Sequence, residues 1–427
     1  MRLSLSLAGT GLLIVFAVAC PRSTPAQTPE RIGMDVFKAR RQVLLDSLGT
    51  GAAVLYSRGK QTDAGYRPDA NFWYLTGVDD PGAILVLAPG EPEDELLFLA
   101  TRDTDAERWT GLRPALSDSL TRAWGFDRIL RTTSLGGRIV AIVKHSPTLH
   151  LISSLVSPTA DKPPDMELYG NISSRIPGTS TKNSSRFLER MRMVKSDAEI
   201  AALERAIGVT HQGISDVIAA MKPGISEFQL DGILEESFKS QGSQFMAFAP
   251  IVGCGEQATI LHYERRNQPL VDGDLLLMDV GAEWDRYAAD ISRTVPVNGT
   301  FSPEQARIYD IVLEAADAAI AKIRPGVTVR EVHEAAREVI RRHGHIEDFL
   351  HSTSHFLGLD VHDVGDYGMP LEAGMVITVE PGIYLPKEKI GVRIEDDILV
   401  TKNGSRNLSA AIPRDRADVE AWVRSLK

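Results

Sequence analysis

The sequence predicts an α/β domain followed by an α+β domain, on three observations. The chain is 427 residues long, enough for two or three domains of roughly 150 residues each. Short apolar runs bounded by Gly, Pro and Asp alternate with amphipathic stretches of helical period. Residues 157–185 interrupt that alternation with a run rich in Pro, Ser, Thr and Asn, which reads as a connection.

Composition narrows the chemistry. Lys and Arg number 47 against 57 for Asp and Glu, a formal net charge of -10. No basic run offsets this, so nucleic acid is not an expected partner, since its affinity comes largely from neutralised phosphates. The only cysteines are Cys20 and Cys254, too few for a disulfide framework or a thiolate zinc site. Catalysis, if present, falls to carboxylates and histidines.

Taken in order, residues 1–19 read as an export signal. The stretch Leu3 to Cys20 carries no charge, follows Arg2 and ends in Ala17-Val18-Ala19, while its strongly apolar part, Leu12 to Ala19, is too short to span a membrane. Cys20 then resembles the lipidated residue of bacterial lipoproteins, although Ala17 stands where such signals usually carry Leu. Plain secretion and a lipid anchor at Cys20 both stay open. Either way the expected location is periplasmic or extracellular, with residues 20–31 as a tether.

The α/β domain is assigned to 32–170. A helix is expected over Phe37–Leu48, strands within Ala52–Ser57, Ala83–Ala88 and Leu96–Ala100, and a helix over Arg102–Leu112. A linker is placed at 171–190. The α+β domain, 191–427, opens on a capping box from Ser196 to Glu199, with Ile200, Leu203 and Ile207 recurring at helical spacing. Helices over Pro303–Ile323 and Val329–His343 then alternate with apolar strands at Leu275–Gly281, Met375–Glu380 and Val392–Val400. No internal repeat is apparent.

The acids of those strands are the informative residues. Asp279 follows four apolar residues in a strand that should bury both faces, where a carboxylate is costly unless compensated. Asp290 is again the lone charge in its surroundings, and a hairpin between the two predicts that they lie opposite one another. Glu380 ends an apolar run, and the two-residue strand period puts Arg393, Glu395 and Asp397 on one face. One such acid alone reads as structural. Four together need cations, and two divalent ions balance four carboxylates. His355 offers a fifth donor. Oxygen-rich ligation with one imidazole favours Mn²⁺, with Co²⁺, Fe²⁺ or Zn²⁺ as alternatives, and the set suits a hydrolase that activates a bridging water.

The segments Ser354-His355-Phe356-Leu357-Gly358-Leu359-Asp360-Val361-His362-Asp363-Val364-Gly365, Val379-Glu380-Pro381-Gly382-Ile383-Tyr384 and Val392-Arg393-Ile394-Glu395-Asp396-Asp397 resemble the pita-bread metallopeptidases. Within them the chain looks most like the aminopeptidase P group, with prolidase as a near relative. Ile260-Leu261-His262-Tyr263 and Met278-Asp279-Val280-Gly281 extend the resemblance. Asn71-Phe72-Trp73-Tyr74-Leu75-Thr76-Gly77 carries it into an N-terminal domain of the creatinase/aminopeptidase P type.

The resemblance implies a dimetal exopeptidase hydrolysing the Xaa-Pro bond at a peptide's N-terminus through a metal-bridging hydroxide. It implies Asp279 as ligand of one metal, Asp290 and Glu395 as bridging ligands, and His355 and Glu380 as ligands of the other, with Glu380 also moving the proton. His262 and His362 are then catalytic and contact the scissile peptide. Tyr384 and Arg393 are expected at the substrate pocket, Arg393 alternatively bracing the carboxylates or pairing with Asp397. Asp360 and Asp363 match no ligand position. A homo-oligomer is expected from the same resemblance. A prolidase acting on dipeptides, or a non-catalytic peptide-binding protein on this fold, are the competing readings. Two departures from the family stand out: Ser352 where many members have Gly, and a short connection from Glu380 to Glu395.

Overall fold

The computed structural model describes residues 31–62, 65–153, 157 and 159–427. The expected signal, the tether up to residue 30 and Cys20 lie outside them. Among the described residues no helix is long and apolar enough to cross a membrane.

The first half is built on a six-stranded sheet in the order Arg128–Arg131, Glu95–Leu99, Ile84–Leu87, Ala52–Tyr56, Thr148–Leu151, Ser180–Asn183. The three central strands are antiparallel to one another, and the outer pairings are parallel. These strands read as continuous apolar runs because helices cover both faces. Leu55, Leu85 and Leu97 pack on one side with Leu44, Leu48 and Phe72, whereas Val54, Val86 and Leu96 pack on the other with Ile139, Ile142 and Tyr169. The expected first helix is found at Met34–Leu48, and the second is shorter than expected, at Thr104–Thr110.

The stretch expected to be a linker is part of this architecture. Pro164–Ser173 is a helix with Pro in its first turn, Ser180–Asn183 is the edge strand parallel to Thr148–Leu151, and Ser185–Met193 is a helix. All four residues of that edge strand are exposed. An edge strand facing water can be polar throughout, so its composition resembled a loop.

Among the described residues the second half contains two helix pairs and four small antiparallel sheets. Helices Asp197–Ala220 and Glu227–Ser240 form one pair, Pro303–Lys322 and Val329–Arg342 the other, and each of the four starts with a capping box. The pairs expose an internal repeat that was not apparent from the sequence. Pro223-Gly224-Ile225-Ser226 and Pro325-Gly326-Val327-Thr328 make the same turn, both glycines at φ 90°, where a Cβ would be strained. Gly224 N–H donates to Leu270 O and Gly326 N–H to Leu371 O, both at 2.9 Å. Ser226 bridges Pro269 as Thr328 bridges Pro370.

Strand Leu275–Val280 lies between Ile251–Cys254 and Ile291–Pro296. The run expected as one strand over Val392–Val400 is two, Ile390–Arg393 and Asp396–Thr401, in different sheets. The chain turns out of one sheet and into the other at Ile394 and Glu395. Residues Ile32–Lys427 form one compact unit.

Candidate active site

Four strand ends deliver the acids to one cavity of about 670 Å³. Asp279 sits next to last in its strand and pairs in register with Ser292. Asp290 precedes that partner strand, so the two carboxylates are diagonal neighbours, not opposite one another as the hairpin reading expected. A separate two-residue hairpin, Glu283–Trp284 with Tyr287–Ala288, takes up the extra chain between them.

His355 and Glu380 are joined by backbone. Thr378 N–H donates to His355 O at 2.9 Å and Glu380 N–H to Thr353 O at 2.8 Å, which lays the His355 segment along strand Val376–Val379. Glu395 enters where the chain changes sheets, its N–H donating to Ser292 O at 3.1 Å. Asp290, His355 and Glu395 each offer a ligand atom within 4.8 Å of the others. His355 Nε2 lies 3.3 Å from Asp290 Oδ2 and 3.5 Å from Glu380 Oε1. Asp279 lines the same cavity.

The electrostatics of this cluster call for cations. Burial, and then Glu395 and Asp279, hold the Asp290 carboxyl well above the usual range. Glu395 is raised by burial and by Glu380 and Asp279. Burial pushes Glu380 up to about 8, Arg393 opposing and Asp279 adding. Among the described residues lining the cavity, Arg393 is the only Lys or Arg, and it is already engaged. Asp279 Oδ1 is buried with no hydrogen-bond partner. His355 Nδ1 lies 3.2 Å from the Phe356 carbonyl, which can only accept, so in the neutral ring Nε2 is left unprotonated toward the acids. Burial and the neighbouring His362 push this ring down to about 4, which keeps it neutral. Unpaired oxygens and a neutral imidazole nitrogen facing one space fit hard or borderline divalent ions.

The remaining predicted residues divide. His262 and His362 are exposed and line the cavity, His362 with its ring 4.4 Å from that of His355. Arg393 also lines it, but its Nη2 donates to Asp279 Oδ2 at 2.6 Å, its Nη1 to Tyr384 Oη at 2.9 Å and its Nε to Ser292 Oγ at 2.9 Å. It braces the acids and makes no pair with Asp397, which instead accepts from Asp290 N–H at 3.2 Å. Tyr384 is a correction. It is 2% exposed and absent from the cavity wall, because its hydroxyl is turned inward to Arg393 and His351. Asp363 is buried against Arg192 and Lys195, and Asp360 pairs with Arg192 at 3.0 Å, so both are structural acids.

Two residues that contact the cluster escape notice in the sequence. His351 lines the cavity, its Nε2 2.8 Å from Tyr384 Oη and its Nδ1 3.7 Å from Glu380 Oε2. Its place four residues before His355, with both in the apolar-flanked segment, was the available signal. Ser292 is fully buried and donates to Glu395 Oε2 at 2.8 Å. Nothing short of the strand register marks it.

Comparison with known proteins agrees with this geometry. A model of metallopeptidase family M24 matches residues 201–402, and a model of the aminopeptidase P N-terminal domain matches residues 37–151. The Xaa-Pro aminopeptidase of Escherichia coli K12 is 34% identical over 437 residues, spanning 92% of this chain and 98% of that one. Xaa-Pro aminopeptidase 1 of Streptomyces coelicolor is 32% identical, spanning 88% and 83%. Among solved structures, Escherichia coli aminopeptidase P with the inhibitor Pro-Leu superposes with TM-score 0.82 at 32% identity, covering 93% of this chain and 99% of that one. Pseudomonas aeruginosa aminopeptidase PepP gives 0.83 with the same identity and coverage. With both family models matched and relatives above 30% identity spanning up to 92% of its length, the chain belongs to metallopeptidase family M24, in the aminopeptidase P group of the pita-bread fold.

Proposed function

We propose that this protein is a metal-dependent exopeptidase that releases the N-terminal residue from peptides with proline in the second position. The observation that carries the reading is the convergence of Asp279, Asp290, His355, Glu380 and Glu395 on one cavity, with His262 and His362 on its wall. The named relatives are Xaa-Pro aminopeptidases.

Those five residues would hold two divalent ions, and the oxygen-rich donor set favours Mn²⁺. When bound, the ions supply Lewis-acid polarisation of a carbonyl and a nucleophile drawn from water at neutral pH. Glu380 would hold one of the ions, whose charge would keep its carboxylate ionised and able to accept a proton and return it to the leaving nitrogen. His262 and His362 supply donors where negative charge develops on the substrate carbonyl oxygen. Arg393 keeps Asp279 oriented through the 2.6 Å bond, and Tyr384 links that arginine to His351 beside Glu380. An Xaa-Pro bond has no N–H, so a peptidase that reads that donor loses a contact. A site that grips the carbonyl and the free α-amino group does not need it.

The test is release of the first residue from an Xaa-Pro-Yaa tripeptide and from the matching dipeptide by the Mn²⁺-loaded protein, with Asp290→Ala as control. Cleavage of the tripeptide that disappears in the control is expected. Cleavage of the dipeptide alone would make the protein a prolidase, and no cleavage with metal bound would overturn the substrate class. Export through residues 1–19, either as plain secretion or with a lipid on Cys20, and a homo-oligomeric state belong to the same proposal and rest on the sequence alone. N-terminal sequencing of the exported protein, labelling with a radioactive fatty acid, and sedimentation test them in turn.

A further inference from the structure

We propose that a second cavity, reached past His362, is a subsite for a carboxylate carried by the downstream part of the peptide. The proposal rests on the peptidase reading above and names the substrate end that reading leaves open. The cavity measures about 700 Å³, and Val361 and His362 line both it and the catalytic cavity. Its other side is the turn that carries Arg58 and Lys60.

The charges around this cavity leave two cations uncommitted. Asp363 is engaged by Arg192 and Lys195. Asp360 is engaged by Arg192 at 3.0 Å and by Arg67 at 3.7 Å. Asp69 caps the helix Ala70–Thr76, accepting from Asn71 and Phe72 N–H at 3.0 and 3.2 Å. Arg67 is further held by Glu283. Arg58 and Lys60 are exposed, and their side chains make no hydrogen bond or ion pair among the described residues, although the Arg58 charge is felt at Asp69. The other cavity sharing the catalytic wall, at His351 and Ser352, presents Arg337 and the acid Glu347, and Arg337 already pairs with Glu334 at 3.4 Å.

The turn is built to hold its shape. Arg58 has φ 40°, uncommon for a residue with a side chain and sustained only where neighbours enforce it. A Cβ on Gly59 would come 2.2 Å from Arg67 O. Tyr66 Oη accepts from Gly59 N–H at 2.7 Å and bonds Ser57 Oγ at 2.7 Å. Arg67 Nη2 donates to Leu359 O at 3.0 Å, three residues before His362. The backbone that carries the two cations is therefore held close to a residue of the catalytic wall. A peptide longer than the catalytic cavity that leaves it past His362 meets them, and its free C-terminus or an acidic side chain is the group they recognise.

Three substrates separate the sources: Ala-Pro-Ala-Ala as free acid, the same peptide as C-terminal amide, and Ala-Pro-Ala-Glu as amide. The native protein is expected to favour the carboxylate-bearing peptides through KM, by about tenfold, a modest charge-assisted contact made equally before and during reaction. Arg58→Gln with Lys60→Gln should abolish that preference while leaving the neutral amide unchanged, and Arg58→Glu should reverse it. Preference for the free acid alone assigns the C-terminus, and preference for both assigns any carboxylate at that distance. Equal loss on acid and amide, or no loss on either, overturns the subsite. Calorimetric binding of Pro-Ala-Ala and its amide to the metal-loaded protein decides the same question without turnover. If no substrate is cleaved, the peptidase reading fails, yet an acid-over-amide affinity that depends on Arg58 and Lys60 still supports the subsite, and its absence overturns it.

Discussion

Arg393 and Asp279, on strands of different sheets, meet with Nη2 2.6 Å from Oδ2, Arg393 only 3% exposed. The same guanidinium also donates to Ser292 and Tyr384. Three donors in one plane serve three acceptors, which a lysine ammonium on a flexible stem does not match.

Arg393→Lys is therefore expected to keep the charge and lose the fork, weakening metal binding about 10- to 100-fold. Arg393→Ala leaves a buried acid cluster short of its cation and should destabilise the fold by about 3–5 kcal/mol. Metal titration and denaturant unfolding read the two effects. A lysine variant with native metal affinity would show that charge alone suffices.

Ser292→Ala tests the residue between Arg393 and Glu395. Its hydroxyl accepts from Arg393 Nε and donates to Glu395 Oε2, so alanine leaves two buried charged groups each one bond short. A loss of about 1–3 kcal/mol in unfolding free energy is expected. A loss below the error of the measurement would mean that water replaces the hydroxyl.

Removing the metal should give an unusual pH dependence. The carboxyl of Glu380 is pushed up to about 8 from 4.5, and Asp290 and Glu395 are raised as well. An acid raised in the folded state keeps its proton longer there, so its contribution is present at low pH and fades as pH rises through the folded value. His351 and His355 are pushed down from 6.5 to about 4, mainly by burial. Their contribution is present above 6.5 and lost as pH falls toward 4. The two effects oppose below 6.5, and above it only the acids act. The melting temperature of chelator-stripped protein should thus fall between pH 6.5 and 8. Metal added at pH 8 should restore it, by about 4 kcal/mol at a thousand times Kd. A flat or rising profile over that range would contradict the repulsive acid cluster.

Tyr384→Phe separates a positioning role from a wall contact. The hydroxyl joins Arg393 to His351 from behind the cavity, so its loss should lower kcat about tenfold with KM and metal content little changed. A rise in KM alone would return Tyr384 to the substrate pocket.

Residues of the cluster stand out in the sequence where they are improbable in their local setting. A lone acid ending an apolar run, as at Asp279 or Glu380, is visible because burying it is costly. His351 and Ser292 carry no such anomaly, and Tyr384 looked like a pocket aromatic because sequence does not show which way a ring faces. The diagonal placement of Asp279 and Asp290 was equally hidden, since the hairpin at Glu283–Ala288 shifts the register. The edge strand Ser180–Asn183 looked like a linker because polar residues suit both an exposed edge and a loop.

By itself the sequence determined the two kinds of domain, most of the apolar strands and long helices, and the identity of the acids and histidine that face one another. Those follow from local rules: period, capping and the cost of a buried charge. Tertiary structure decided the rest. It set which strand ends meet, that Arg393 braces Asp279 and leaves Asp397 to the Asp290 backbone, that Tyr384 turns inward, and that the two Pro-Gly turns mark a repeated unit. Each of these depends on strand register and on contacts between residues more than a hundred positions apart, such as Arg393 and Asp279, and no local pattern encodes them.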